Sequence, residues 1–404
     1  MNDGTIRMSA TENLPFPVWA EFQFKGNATE YFNIWIVNVL LTIVTLGIYS
    51  AWAKVRTESY FYGNTVVNGS SFRYTGDPLK ILKGRTLSVV VFALFWLLFN
   101  YYPGLILWAF TAACLAFPFV VVASTSFRMR NSMYRNIRFR FDAAYLDAYK
   151  ALLFPLGMIV ATTTLLYIAF DASELATLMD AMEDPEVEFR SEDAFFTIFI
   201  LAAIPFIPYL MYVLRRFVVD HMHYGSAPGS FMACAWDFYK VYLKGFVLTF
   251  GLMFCLGIIL AIVMGSLGLG DEMETGTALE GVEALAALVV AMVVVMYGVG
   301  FYLLGYLNSR LTNVTFNNIE IGPLLLHSTL RGRALGTLYL TNTIAILLSL
   351  GLMVPWVKIR MARYKASRTE FLAKDMAGIE AIEQSDQSAI GEKLGDIFDI
   401  DIGL

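Results

Sequence analysis

Apolar residues in this chain gather into eight long stretches, near residues 33–53, 87–102, 104–124, 151–170, 194–214, 246–265, 285–306 and 335–355, and none contains Asp, Glu, Lys or Arg. A hydrocarbon core about 30 Å thick is crossed by about 20 apolar residues in a helix. Lipid offers backbone N–H and C=O groups no partner, so such stretches must be helical to satisfy them internally. The second and third stretches are separated by Tyr101-Tyr102-Pro103-Gly104, which predicts a tight turn between two antiparallel helices.

The polar connectors sort by sign. Segment 54–85 is basic (Lys54, Arg56, Arg73, Lys80, Lys83, Arg85), and 128–150 more so (Arg128, Arg130, Arg135, Arg138, Arg140, Lys150). Further basic residues flank the stretches at Arg215, Arg216, Lys244, Arg310, Arg331 and Arg333. Acidic residues concentrate instead in 171–193 and 271–283. The positive-inside rule then places the basic connectors in the cytoplasm and predicts three helical hairpins, 87–124, 151–214 and 246–306.

The first and last stretches do not fit this scheme, because basic clusters flank both sides of the last one. The two also resemble each other without gaps: Asn38, Leu46, Gly47, Trp52, Lys54, Arg56 and Tyr60 recur as Asn342, Leu350, Gly351, Trp356, Lys358, Arg360 and Tyr364. The expected fold is therefore an all-α polytopic membrane protein. It has six full transmembrane helices in three hairpins and two kinked or re-entrant end elements bent at Gly47 and Gly351, the alternative being eight full spans. Three regions are expected: a cytoplasmic segment 1–32, a membrane domain 33–372 with internal repeats, and an acidic cytoplasmic tail 373–404.

Composition agrees with lipid as the solvent: 57% of the residues are hydrophobic and 16% charged, against about 45–50% and 25% in soluble domains. The first thirty residues hold no basic front followed by an apolar run, so no removable signal peptide is expected. Cys114, Cys234 and Cys255 are scattered, without C-x-x-C spacing, and are expected to be free thiols buried as small hydrophobes.

The cytoplasmic connectors are expected to carry short β elements. Thr65–Val67 and Ser71–Tyr74 flank Asn68-Gly69, a strong two-residue hairpin turn. Ile137–Phe141 alternates with period two, and Val314–Ile321 is partly strand-like. Interfacial helices are expected to follow, as at Pro78–Arg85 and Ala143–Lys150. A second repeat matches Asn131, Ser132, Asn136 and Phe139 with Asn308, Ser309, Asn313 and Phe316. The ending Ile397–Leu404 alternates apolar with acidic residues. It either docks by strand addition on the basic 135–141 segment or remains a disordered solubilising tail.

Three motifs, Phe22-x-Phe24-x-Gly26, Thr45–Tyr49 with Trp52-x-Lys54-x-Arg56, and Tyr62–Thr65 with Phe72-x-Tyr74-x-Gly76, together with the terminal Gly395–Gly403, resemble the YjgN-type bacterial inner-membrane proteins. The resemblance covers nearly the whole chain. It implies a polytopic fold in the inner membrane of a Gram-negative bacterium, and no activity, the family being of unknown function.

Candidate chemistry is sparse. Asp220-His221-Met222-His223 is the one histidine cluster, with His327 elsewhere, but a structural zinc site usually needs four ligands. Interfacial polar residues are the ordinary reading. No G-x-S-x-G, Walker A or H-E-x-x-H motif is present, so no catalytic residue, cofactor or metal site is assigned and an enzyme is not expected. The absence of ionisable residues inside the stretches argues against proton- or ion-coupled transport.

The basic set Lys54, Arg56, Arg128, Arg130, Arg135, Arg138, Arg140, Arg215, Arg216, Lys358 and Arg360 is expected to contact anionic lipid headgroups on the cytoplasmic side. Asn38, Gly47, Asn342 and Gly351 are the repeat-related kink or polar positions. No nucleic-acid partner is expected; protein partner and oligomeric state are open. Two functions remain: transport of a neutral or amphipathic solute or lipid, or a non-transporting membrane scaffold with a cytoplasmic partner.

Overall fold

The computed structural model describes residues 18–102, 105–169, 202–266 and 279–373. Ten short antiparallel strands close into a barrel, in the order β1-β10-β9-β8-β7-β6-β5-β4-β3-β2. They are β1 Val18–Phe24, β2 Thr65–Val67, β3 Ser70–Tyr74, β4 Ser132–Tyr134, β5 Ile137–Phe141, β6 Met222–Tyr224, β7 Ala227–Phe231, β8 Ile319–Ile321, β9 Leu324–Ser328 and β10 Thr369–Ala373.

Helices leave the barrel in pairs. After β1 come α1 (Ala28–Val44) and α2 (Ser50–Asn64), after β3 α3 (Pro78–Tyr101) and α4 (Ile106–Arg130), and after β5 α5 (Tyr145–Ala169) and α6 (Ile207–Asp220). After β7 come α7 (Ala235–Ser266) and α8 (Leu279–Phe316), and after β9 α9 (Gly332–Leu348) and α10 (Val354–Ala366). The arrangement is thus a strand, a helix pair and a returning strand, five times over. All helices leave from one end of the barrel, and the tight turns lie at the other. Each helix packs on the next in chain order, and α10 returns to α1.

One backbone contact recurs at the base of every pair. The residue after the outgoing strand donates its N–H to the carbonyl just before the returning strand: Lys25 to Asn64, Thr75 to Asn131, Asp142 to His221, Met232 to Asn318 and Thr329 to Arg368, at 2.9–3.0 Å. In four of the five pairs the returning helix ends on a side-chain cap at that same position. Asn64, Asn131 and Asn318 donate through Nδ2 to the carbonyl one turn back, at 2.9, 2.7 and 2.8 Å. His221 Nδ1 lies 2.9 Å from Phe217 O, a contact that only an N–H at that nitrogen can satisfy. These polar groups satisfy carbonyls that a helix end leaves without an internal partner.

Family motifs acquire a physical reason here. A Cβ on Gly26 would lie 2.6 Å from the ring of Phe24, and one on Gly76 would lie 2.5 Å from the hydroxyl of Tyr74. The aromatic residue that ends the strand therefore covers the glycine that starts the exit to the helix. Leu46-Gly47 and Leu350-Gly351 form matching turns between α1 and α2 and between α9 and α10, with φ of +50° and +92° and of +51° and +92°. Gly47 and Gly351 donate to Thr42 O and Ile346 O at 2.7 and 2.8 Å, and a glycine readily adopts the positive φ this requires. Leu46 and Leu350 are each 95% exposed at the tips.

The closed barrel overturns the all-α expectation. Among the described residues, five helical segments are long and apolar enough to cross a membrane: Pro78–Leu98, Leu107–Arg130, Tyr145–Leu165, Ala235–Ile259 and Val290–Phe316. That count, which covers the described residues alone, stands against the six spans with two end elements and against the eight-span alternative. The physical reason for the miss is that strands of three to seven residues carry almost no periodic signal, while their partners lie a whole helix pair away.

Other expectations also change. Pro78–Arg85 and Ala143–Lys150 belong to the starts of long helices or their approach, not to separate interfacial helices. Asn308 lies inside α8, whereas Asn131 caps α4 immediately before β4, so the second sequence repeat does not superimpose equivalent positions. Cys234 and Cys255 are exposed rather than buried. Strand addition at β5 has no free edge, since β4 and β6 occupy both sides. The tail itself, like the acidic loop 171–193 and most of the second acidic loop, lies outside the described residues.

Helices α8 and α9 make the closest helix contact. A Cβ on Gly305 would fall 2.3 Å from the backbone nitrogen of Gly336, whereas one on Gly298 meets nothing within 4 Å. Gly305→Ala should lower stability by about 1–3 kcal/mol through overpacking. Gly298→Ala should be neutral or stabilising by up to about 1 kcal/mol. Thermal unfolding of the two variants in the same detergent checks the contrast.

Candidate functional site: the barrel lumen

Strand pairing puts one set of alternating residues on the inner face. Phe22 stands opposite Val67, Phe72 opposite Tyr134, Phe139 opposite Tyr224, Ile321 opposite Leu324, and Phe371 opposite Leu326 and Ala20. The other set is predominantly polar, with Glu21, Gln23, Ser71, Arg73, Arg138, Arg140 and Ser230 exposed and Val66, Met133, Leu325 and Leu372 interspersed among them. This is the reverse of a membrane-embedded barrel, which is apolar outside. The barrel therefore stands in water, while the helices bearing exposed leucine, valine and phenylalanine belong in lipid.

The inner residues surround a cavity of about 330 Å³. Its wall is aromatic and aliphatic, with Phe22, Phe72, Tyr134, Phe139, Tyr224 and Phe371 at its centre. The tyrosine hydroxyls are used by the wall itself: Tyr134 donates to Val67 O at 2.9 Å and Tyr224 to Tyr134 O at 3.2 Å. The Phe72 and Tyr134 rings meet with centroids 4.8 Å apart and planes tilted by 30°.

Polar groups sit at the two ends. At the turn end are Asn68 and Arg135, whose guanidinium lies 5.8 Å from the Tyr134 ring and donates to Ser70 Oγ at 3.3 Å. At the helix end are Arg128, Tyr62 and Ser132. Ser132 donates to Tyr62 at 3.2 Å or to Arg128 O at 2.9 Å, one proton serving two acceptors. Burial raises the Tyr74 pKa, and the charge of Glu58 raises it further, against a lowering by Arg128. Arg215 keeps an open surface, yet crowding by neighbouring atoms, followed by the like charge of Arg128, lowers its pKa. At the helix-end mouth the lumen lining itself offers one guanidinium, Arg128, and one phenol, Tyr62.

The sequence-predicted basic set does not form one face. Arg128 and Arg135 reach the lumen from opposite ends, and Arg138 and Arg140 lie on the outer wall, Arg140 donating to Gly225 O at 2.8 Å. Arg130 ends α4. Arg216 pairs with Asp220 at 3.3 Å. Arg56 and Arg360 donate to Asn38 and Asn342 Oδ1 at 3.4 and 3.0 Å across their helix pairs, with both asparagines only 4% exposed. Lys54 lines a cavity of about 440 Å³ walled mainly by α1 and α2, with Arg85 of α3 and Lys358 of α10 beside it, and Lys358 donates to Tyr31 at 3.3 Å. His223 faces Asp142 at 3.6 Å on the outer wall. Among the described residues no three His, Cys, Asp or Glu side chains could together hold a metal ion.

Sequence reasoning missed the lumen wall. Its signal was present only as isolated pairs of apolar residues in phase, such as Phe139 with Phe141 and Phe22 with Phe24.

Residues 20–397 match the family described as a bacterial protein of unknown function (DUF898). The chain belongs to that family. It is similar to the inner membrane protein YjgN of Salmonella typhimurium, at 31% identity over 148 residues, covering 36% of this chain and 37% of that protein. A 53-residue stretch is 53% identical to the inner membrane protein YjgN of Escherichia coli K12, covering 13% of each. The matched stretches thus span little more than a third of these relatives at most. No solved structure matches. With five span-length helices among the described residues, this member of the family is a multi-pass protein of the bacterial inner membrane.

Removing the wall hydroxyls tests the lumen packing. Tyr134→Phe and Tyr224→Phe should each destabilise the protein by about 0.5–1.5 kcal/mol, the net value of one hydrogen bond. Denaturation in detergent measures both.

Proposed function

We propose that this protein binds an amphipathic, membrane-derived molecule in its barrel lumen and passes it between the bilayer and the cytoplasm. The observation that carries the reading is the apolar cavity of about 330 Å³ with arginines at both mouths. That volume falls within the range of about 300–1,000 Å³ typical of small-molecule sites. The apolar wall suits an acyl or isoprenoid-like body, and Arg128 and Arg135 suit an anionic head at either end. The basic connectors support a cytoplasmic position for the barrel. Charge-free apolar stretches support a cargo that needs no intramembrane ion coupling. The matched clamps at the five helix pairs support an origin by internal repetition.

The test is mass spectrometry of purified full-length protein, intact and after organic extraction, beside a Leu326→Trp variant that fills the lumen. The wild type should retain a small amphipath, and the variant should retain at least about tenfold less, equivalent to about 1.4 kcal/mol of binding. A wild type that retains nothing, or a variant that retains as much, contradicts the reading. Retention of a protein partner with no small molecule would favour a scaffold.

A further inference from the structure

The clamps at the base of the helix pairs give a common ruler along their helices. At one distance from the clamp, the first and fifth outgoing helices carry Asn38 and Asn342. On the returning helices Arg56 and Arg360 donate to them, at 3.4 and 3.0 Å. In the fourth pair the corresponding residues are Gly245 and Arg310. Glycine offers no side-chain acceptor, and Leu307 occupies the vacated space, its Cδ2 lying 2.9 Å from where a Cβ on Gly245 would be.

Arg310 is consequently turned to other company. Its guanidinium lies 5.9 Å from the Tyr306 ring and lines a cavity of about 680 Å³ with Lys240 and Lys244. Leu248 and Tyr306 belong also to a second cavity of about 620 Å³. Leu252, Val295, Val299 and Leu303 form its wall, and Arg333 lies at its edge. Lys240 is paired with Asp237 at 3.3 Å. Among the described residues no carboxylate comes within 4.0 Å of Lys244, Arg310 or Arg333.

We propose that this double groove between α7, α8 and the start of α9 is a binding site for one anionic phospholipid. Lys244, Arg310 and Arg333 face its phosphate, and the apolar wall of α7 and α8 receives its acyl chains. Basic side chains at the end of a span and an apolar channel running along it match the two halves of such a molecule. An uncharged groove would not distinguish lipid heads. The site shares no residue with the barrel lumen, and the inference does not rest on the lumen reading.

The full-length protein in mild detergent is offered equal amounts of phosphatidylglycerol and phosphatidylcholine with identical chains, and bound lipids are counted by native mass spectrometry. The wild type should retain phosphatidylglycerol over phosphatidylcholine by about tenfold or more, as expected for several basic contacts to one headgroup. Lys244→Ala with Arg310→Ala should bring that preference close to unity, while Leu326→Trp in the lumen leaves it unchanged. Equal retention of the two lipids by the wild type overturns the proposal without any variant. So does a preference that survives the double substitution, or one abolished by millimolar inorganic phosphate, which would mark a free-anion site.

Discussion

Closure of the ten-stranded barrel is the constraint on which everything else in this molecule depends. Its strands are three to seven residues long, and a short isolated hairpin is marginal in water. Each becomes stable only because both of its edges are occupied and its inner face is buried. Closure also sets the positions of the helices. All of them leave one end of the barrel, spaced by the strand pairs, and each pair is locked at its base by the same amide–carbonyl contact. The starting points of the long α7 and α8 are fixed by strands β7 and β8, and the two helices also pack on each other, as at Gly245 and Leu307.

The barrel also resolves a conflict of solvents. Polar outer and apolar inner faces make it a water-side object, while the helices expose apolar side chains suited to lipid. The two requirements meet at the helix-end mouth, where Arg128, Tyr62 and Ser132 adjoin the lumen and burial raises the Tyr74 pKa. An apolar cavity opening beside a charged, membrane-facing rim can accommodate both halves of an amphipath. Lumen and outer groove offer the same pair of surfaces, apolar wall and guanidinium, in different solvents.

How much of this was legible in the sequence varied with the range of the interaction. Long apolar runs announced the membrane helices, and Asn68-Gly69 announced the β2–β3 turn, whose residues adopt φ of +44° and +75°. Ile137–Phe141 read correctly as a strand because alternation is a local property. The closed barrel was not legible, because Phe139 meets Tyr224 and Ala20 meets Phe371 only after intervening helices have folded back. Arg128 and Arg135 were picked for their charge, but nothing local says that they mark opposite ends of one cavity. The groove at Arg310 was missed for a related reason, since its significance comes from the missing asparagine across the helix pair.

Strands β1 and β10, from opposite ends of the chain, supply the decisive contact. Glu21 is paired with Glu370 on the outer face, and directly opposed residues bring Cβ atoms to about 4.5–5.5 Å. The most direct measurement replaces Cys114, Cys234 and Cys255 by serine, introduces Glu21→Cys and Glu370→Cys, and oxidises the protein in native membranes. A closed barrel predicts an intramolecular disulfide, seen as a mobility shift of the monomer that reverses on reduction. Free thiols, or disulfide-linked dimers alone, would contradict closure and with it the lumen.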